Sequence, residues 1–455
     1  MIRFGINKLK TFFNKGHERS ILTKKNVAAS FAIKGITILT TFLLTPLVIN
    51  YANPERYGIW QVFYNMVLWM YLFDLGFGNG LKNKLAEAKA QNNNLIARKY
   101  ISSTYAIMIV FCVGIFILFA GLNLFVDWTV VFPSEEVKQY ESELNPLVWV
   151  CVSSFCLIFV LNLLKYIVSA DQRPAIASFL DMIGQLSTLI ILFFFSKTFD
   201  PNLFLLGLAI SVPPIVVYLI ASFVFFNGRY KDWKPSLKLV NFNLAKQTMS
   251  LGIKFFIASI AALAVLQTIS FLILHMNNPI EVANYSAAKN LFFVLFNVLG
   301  IIILPMWASF TDAYTQRDFQ WMKNSRKNLQ KLFILLIIGE VILLLLAPVI
   351  YKLWIGEELN IPFEMSMAVM LLVCTICWVN INIYPLNGIG KMKLQIYSSI
   401  LELVLIFPIA FWMNSKFGAP GIVLAPVIVY IPRMIWSPIQ LNRLINQTAK
   451  GIWNK

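Results

Sequence analysis

Val27-Ala-Ala-Ser-Phe-Ala-Ile-Lys34-Gly-Ile36 and, 220 positions on, Met249-Ser-Leu-Gly-Ile-Lys254-Phe-Phe-Ile-Ala258 each carry a lysine a few residues into a long apolar stretch. A charged side chain in the hydrocarbon of a bilayer costs about 2.5–3.5 kcal/mol on insertion scales. The composition around these stretches says that a bilayer is the right frame. Of 455 residues 58% are hydrophobic and only 13% charged, where a soluble domain carries roughly 25%. Apolar stretches of about 20–27 residues, enough to span a membrane, fall at 27–51, 57–80, 101–126, 145–168, 174–196, 203–226, 249–275, 285–310, 331–353, 362–389, 394–414 and 417–440. The pattern predicts an all-α membrane protein with twelve transmembrane helices.

The net charge of +17 is a topology signal rather than a nucleic-acid footprint. Counting residues at the span edges with the adjoining connection, 29 of the 38 Lys and Arg, Lys165 and Lys331 among them, lie in the two tails and the even-numbered connections. The odd-numbered connections hold five on the same count (Arg56, Lys138, Lys197, Lys352, Lys416), and Lys34, Lys254, Lys289 and Arg433 fall within spans. The excess of positive charge on one side predicts both termini in the cytoplasm, and the acidic segment 127–144 belongs to the other side. All five cysteines lie in apolar stretches, so no disulfide between external loops is expected; Cys374-Thr-Ile-Cys377 has no partner ligands for a metal. The first apolar run is too long for a cleavable signal and contains a lysine. Before it, Ile2, Ile6, Leu9, Phe12 and Phe13 alternate with Arg3, Lys8, Lys10 and Lys15. That spacing suits either a helix lying on an anionic leaflet or a charged tail without fixed structure.

The second half repeats the first. Ile33-Lys34 matches Ile253-Lys254, Asn53-Pro54 with Tyr57 matches Asn278-Pro279 with Tyr285, and Asp181 matches Glu402, all at offsets of about 218–228. Aligning the tyrosines sets Gln61 against Lys289. Such a series predicts a parallel duplication: two six-helix bundles related by a pseudo-two-fold axis along the membrane normal, the plan of an alternating-access transporter. The expected units are a basic amphipathic tail at 1–26, bundles at 27–226 and 249–440, a basic linker at 227–248 and a tail at 441–455.

Four short motifs carry a resemblance. Asn53-Pro-Glu-Arg-Tyr-Gly58, Asp74-Leu-Gly-Phe-Gly78, Gly388-Ile-Gly-Lys391 and Lys416-Phe-Gly-Ala-Pro-Gly421 resemble the polysaccharide flippase branch of the multidrug/oligosaccharidyl-lipid/polysaccharide exporter superfamily. Within it the chain is similar to the O-antigen flippases. The resemblance implies a bacterial cytoplasmic (inner) membrane protein that moves undecaprenyl-pyrophosphate-linked oligosaccharide outward for lipopolysaccharide or other surface polysaccharide, beside downstream polysaccharide polymerase machinery. Twelve spans fit that branch and depart from the fourteen usual of the lipid II flippases. The branch supplies no substrate-residue signature to carry over.

Site expectations therefore rest on charge. Lys34, Lys254 and Lys289 are the candidate pyrophosphate ligands, because lysine serves anions as a compact point charge; snorkelling to an interface is the plain alternative for each. Arg433, beside Pro432 and Trp436, reads as an interfacial anchor. Glu340, deepest of the acids, and Asp181 and Glu402 read as ion-coupling sites or structural ion pairs. Asp74 reads as part of a turn. No cofactor or metal site is expected: the two histidines, His17 and His275, lie far apart, and Gly76, Gly78 and Gly80 sit in a membrane stretch rather than a phosphate loop. The same features exclude an enzyme with a nucleophile or nucleotide site. The competing expectation is a multidrug cation antiporter of the same superfamily, against which the matched lysines argue.

Overall fold

The computed structural model describes residues 18–70, 77–131, 135–171, 173–244 and 265–454. The amphipathic pattern of residues 2–15, Asp74 and Lys254 lie outside the described residues. Those described form an all-helical fold with no strand. Among the described residues ten helices are long and apolar enough to cross a membrane. Two expected spans are not among them: of the second only the helix Pro54–Met70 is described before residues 71–76, and of the seventh only Val265–Met276.

In chain order the first half comprises α1 (Glu18–Ala52), α2 (Pro54–Met70), α3 (Phe77–Ala90), α4 (Asn94–Asn123), α5 (Glu141–Leu161), α6 (Leu163–Ala170), α7 (Pro174–Thr198) and α8 (Leu203–Asn227). The second comprises α9 (Val265–Met276), α10 (Pro279–Thr315), α11 (Phe319–Trp354), α12 (Phe363–Ile389), α13 (Lys393–Phe417), α14 (Ala419–Val429) and α15 (Ile431–Ile445). Outward-facing positions are apolar: Val110, Ile117 and Leu118 on α4, Phe223 on α8, Leu345 and Leu353 on α11, and Val404 and Phe411 on α13 are all exposed. An oily exterior of this extent is stable only in lipid.

The short motifs are structural punctuation. Asn53 holds φ 69°, a left-handed conformation that asparagine tolerates. Its side chain accepts from the Arg56 N–H at 2.9 Å, while Pro54 begins α2 where a missing N–H costs nothing. Asn278-Pro279 starts α10 in the same way, with Asn278 accepting from the Glu281 N–H at 2.9 Å. Arg56 forks onto Glu143 at 2.6 and 3.0 Å, and Glu143 also accepts from the Leu203 N–H that opens α8. One salt bridge thus gathers α2, α5 and α8 at the end bearing the acidic segment (the acidic-loop end). Gly418, between α13 and α14, sits at φ 61° and ψ −148°, a region open essentially to glycine alone.

At the opposite, basic end the organiser is Asp171, which is buried. It accepts from Lys89 of α3, from Arg229 Nε at 2.9 Å and from the Tyr230 hydroxyl at 3.1 Å. The segment after α8 then straps across α4: Trp233 Nε1 donates to Asn94, and the Ser236 and Asn241 N–H groups to Ser102 and Ser103. Burial pushes the Asp171 carboxyl up, but the bonds from Lys89, Arg229 and Tyr230 outweigh it and hold the group below the usual carboxylate range. A depressed folded pKa stabilises the fold above the unfolded value of about 3.9 and loses that contribution as pH falls through the lower folded value. Asp171→Asn is expected to cost about 2 kcal/mol at neutral pH. The gap between wild type and variant should close below about pH 4. Unfolding midpoints of both proteins across that range check this; a gap that ignores pH contradicts it.

Candidate functional site

The two halves meet along a seam at the acidic-loop end. Gly58 of α2 lies against the backbone of Pro279 on α10, so close that an added Cβ would fall 1.9 Å from the Pro279 carbonyl oxygen. Only a residue without a side chain permits that approach. Below this contact Asn290 Nδ2 donates to Thr45 Oγ1 at 3.0 Å, with Tyr57 beside both Gln61 and Asn290. Asn65 donates to Ser270 at 2.9 Å, and Trp354 Nε1 to the Phe42 carbonyl at 2.6 Å with the two rings stacked. These cross-half bonds, all among the described residues, lie in the part of the molecule nearer the acidic loop.

Lys34 is exposed on α1. It is eleven residues from Thr45, about three turns and 16 Å along the same face to within ~20°. On that face Thr45 touches Asn290 of α10. Lys289 neighbours Asn290 in the seam, its ammonium 5.8 Å from the Tyr285 and Phe293 ring centroids, a cation–π setting with no ion-pair partner among the described residues. Lys34 and Lys289 thus lie on α1 and α10, two helices that touch through Thr45 and Asn290; Lys254 is outside the described residues.

A cavity of about 440 Å³ lies inside the first half, between α1, α2, α5, α6, α7 and α8. Trp60 and Tyr64 form one wall, Asn162, Lys165, Asp181 and Gln185 supply polar atoms, and Thr37 of α1 reaches its edge. Asp181 is ion-paired with Lys165 at 2.6 Å and accepts from the Tyr218 hydroxyl at 2.8 Å. The Lys165 ammonium also stands over the Tyr218 ring at 5.2 Å. Lys165, at the edge of the apolar stretch 145–168, belongs to the bundle rather than to the connection after the fourth span. The carbonyl oxygens of Asn162 and Gln185 are buried and have no hydrogen-bond partner among the described residues.

Three charged side chains of the second half, Glu340, Glu402 and Arg433, are packed within it. Glu402 pairs with Arg433 at 2.7 Å, both side chains under 5% exposed, and Arg433 also donates to Ser399 at 2.7 Å. The expectation of an interfacial anchor at Arg433 is therefore corrected: α15 turns the guanidinium inward onto α13, where a carboxylate and hydroxyls replace its water. Glu340 is 1% exposed, and neither carboxyl oxygen has a hydrogen-bond partner among the described residues. The ion-pair alternative for Glu340 finds no partner there; its neighbours are Cys374 and Cys377 of α12.

Comparison with known proteins bears on what this geometry serves. The family model described as "Polysaccharide biosynthesis protein" matches residues 23–310. The "Putative O-antigen transporter" of Salmonella typhimurium is 22% identical over 410 residues, covering 86% of this chain and 89% of that protein. Among solved structures, an inward-facing multidrug resistance MATE family transporter of the MOP superfamily superposes with a TM-score of 0.76 at 13% identity, over 93% of this chain and 100% of the other. A MOP superfamily transporter from Pyrococcus furiosus gives 0.65 at 14% identity, over 95% and 99%. At these identities the structural likeness is one of fold.

Proposed function

The chain belongs to the polysaccharide biosynthesis protein family, and from that premise we propose that it is a flippase for polyprenyl-pyrophosphate-linked oligosaccharide. It takes the substrate from the cytoplasmic leaflet and releases it in the external leaflet of the inner membrane by alternating access, for O-antigen or related surface polysaccharide. The observation that carries this reading is the family match, which covers most of the first half and the start of the second. The MATE-like fold supports transport rather than catalysis.

In this reading twelve helices form two bundles, both termini are cytoplasmic, and the acidic loop is external. The matched Asn-Pro helix starts of α2 and α10 support the duplication. With cross-half bonds gathered at the acidic-loop end, substrate enters from the basic, cytoplasmic end. Lys34 meets the pyrophosphate there, with Lys254 as its counterpart and Lys289 further along the seam. Lysine suits the task because its charge follows a moving anion on a flexible stem. The membrane potential assists: each negative charge carried outward down an inside-negative potential releases about 2.3 kcal/mol per 100 mV. The potential by itself thus biases the movement of the anionic head outward.

The test is lipid-linked glycan accumulating on the cytoplasmic leaflet of cells lacking the protein. Wild type should relieve it, and Lys34→Ala should slow relief at least tenfold, the loss of one charge-assisted contact of about 1.4 kcal/mol or more. Full relief by Lys34→Ala returns Lys34 to the role of an interfacial anchor. The MATE-like fold also fits a cation antiporter; in that case the deletion accumulates no glycan and gains sensitivity to cationic drugs.

A further inference from the structure

We propose that the cavity inside the first half is a subsite for an uncharged saccharide ring, separate from the seam that receives the anionic head. The identity of its ligand rests on the flippase reading, since a lipid-linked glycan brings saccharide rings to this membrane.

The lining itself selects against charge. Its one acid, Asp181, and its one base, Lys165, are paired at 2.6 Å, so the wall presents no net charge to a cation or an anion. What it does present is of two kinds. Trp60 and Tyr64 lie against one another with ring centroids 6.0 Å apart and planes at 29°, a continuous apolar face. Opposite in chemistry are the carbonyl oxygens of Asn162 and Gln185, buried acceptors that no described group satisfies. A buried acceptor left without a donor costs about 1–3 kcal/mol. The terminal torsions of both amides are soft, so a small rotation offers each oxygen to an occupant. An apolar face with unfilled acceptors calls for a neutral molecule that has a C–H face and several O–H donors. A saccharide ring has both. The volume of about 440 Å³ lies within the ~300–1,000 Å³ of typical small-molecule sites.

Position narrows the ring to the one next to the pyrophosphate. Thr37 lines the cavity, and Lys34 precedes it by one turn of α1, about 4.5 Å along the axis. A pyrophosphate held by Lys34 therefore has its first sugar at the cavity edge.

The test uses the purified full chain in lipid nanodiscs and saturation-transfer NMR with methyl glycosides of glucose, galactose and N-acetylglucosamine. Inorganic pyrophosphate and tetraphenylphosphonium serve as charged comparators. At least one glycoside should receive transfer from wild type, and Gln185→Leu and Asn162→Leu should each weaken it about tenfold. Silence of every glycoside with wild type overturns the subsite whatever the variants do, and so does equal binding by wild type and both folded variants. Displacement of glycoside by tetraphenylphosphonium also overturns it, in favour of a cation site. The accumulation assay in cells reads the flippase separately. Export intact with silent glycosides removes the subsite alone, whereas glycoside binding without accumulation in the deletion removes the flippase and leaves the subsite.

Discussion

Arg433→Met is expected to leave little folded protein, while the double variant Glu402→Leu with Arg433→Met recovers most of it. The pair sits where two membrane helices cross, α13 and α15, with both side chains almost fully buried. Arg433 supplies Glu402 with an ion pair at 2.7 Å and a hydrogen bond from Nε at 2.8 Å, and reaches Ser399 at 2.7 Å. Removing only the guanidinium strands a carboxylate that is 2% exposed, which costs about 3–5 kcal/mol. A domain's whole stability is roughly 5–15 kcal/mol, so the loss is a large share of what holds the second half. The hydroxyls are not stranded to the same degree: Ser398 already donates to the Gln395 carbonyl at 3.0 Å. Replacing both charges by apolar groups of similar volume removes the desolvation cost together with the attraction, and such exchanges are often neutral. Unfolding of the purified proteins in mild detergent, or their abundance in the membrane, measures the difference. Equal stability of Arg433→Met and wild type contradicts a structural role for the pair.

What could be read from the residues divides along the line between local and tertiary chemistry. Apolar length and the placing of basic residues are properties of single segments, and they gave the helical membrane class. The Asn-Pro starts of α2 and α10 and the glycine at 418 are also local, since caps and backbone torsions depend on the nearest few residues. The partners of buried charges are not local. Whether Arg433 faces lipid or bundle depends on how α15 is rotated about its axis, and Glu402 lies 31 residues away on another helix. Glu340 shows the converse: its depth reads equally as an ion-coupling site or an ion pair, and only the packing shows that the face of α11 carrying it meets the cysteines of α12. The cavity is the least legible feature, because residues from six helices line it. Its ion pair joins Asp181, which the charge pattern singled out, to Lys165, which looked like the end of a span. Lys34 is brought forward by its place in the apolar pattern, a local property of α1.

Joining Thr45 to Asn290 by a covalent bridge is expected to stop glycan export without unfolding the chain. The two side chains already touch across the seam at 3.0 Å, so a short bridge between cysteines at these positions keeps the geometry of the shut end. Alternating access requires the same end to part, carrying Thr45 on α1 away from Asn290 on α10. Hydrogen bonds of this kind contribute about 0.6 kcal/mol each on average between membrane helices, weak enough to break and reform during transport. A covalent bridge cannot, and the outward-open state then has no population however tightly substrate binds. The five native cysteines are free and must first be replaced. Thr45→Cys with Asn290→Cys, treated with a bis-thiosulfonate, should then accumulate lipid-linked glycan to the level of the deletion. Reductant should restore export, and either single cysteine should be indifferent to the reagent. The effect exceeds that of any single lysine, because it removes a conformational state rather than one contact within it. Export that persists with the bridge fully formed means that this seam stays shut throughout the cycle, and the exit must then be sought within one half.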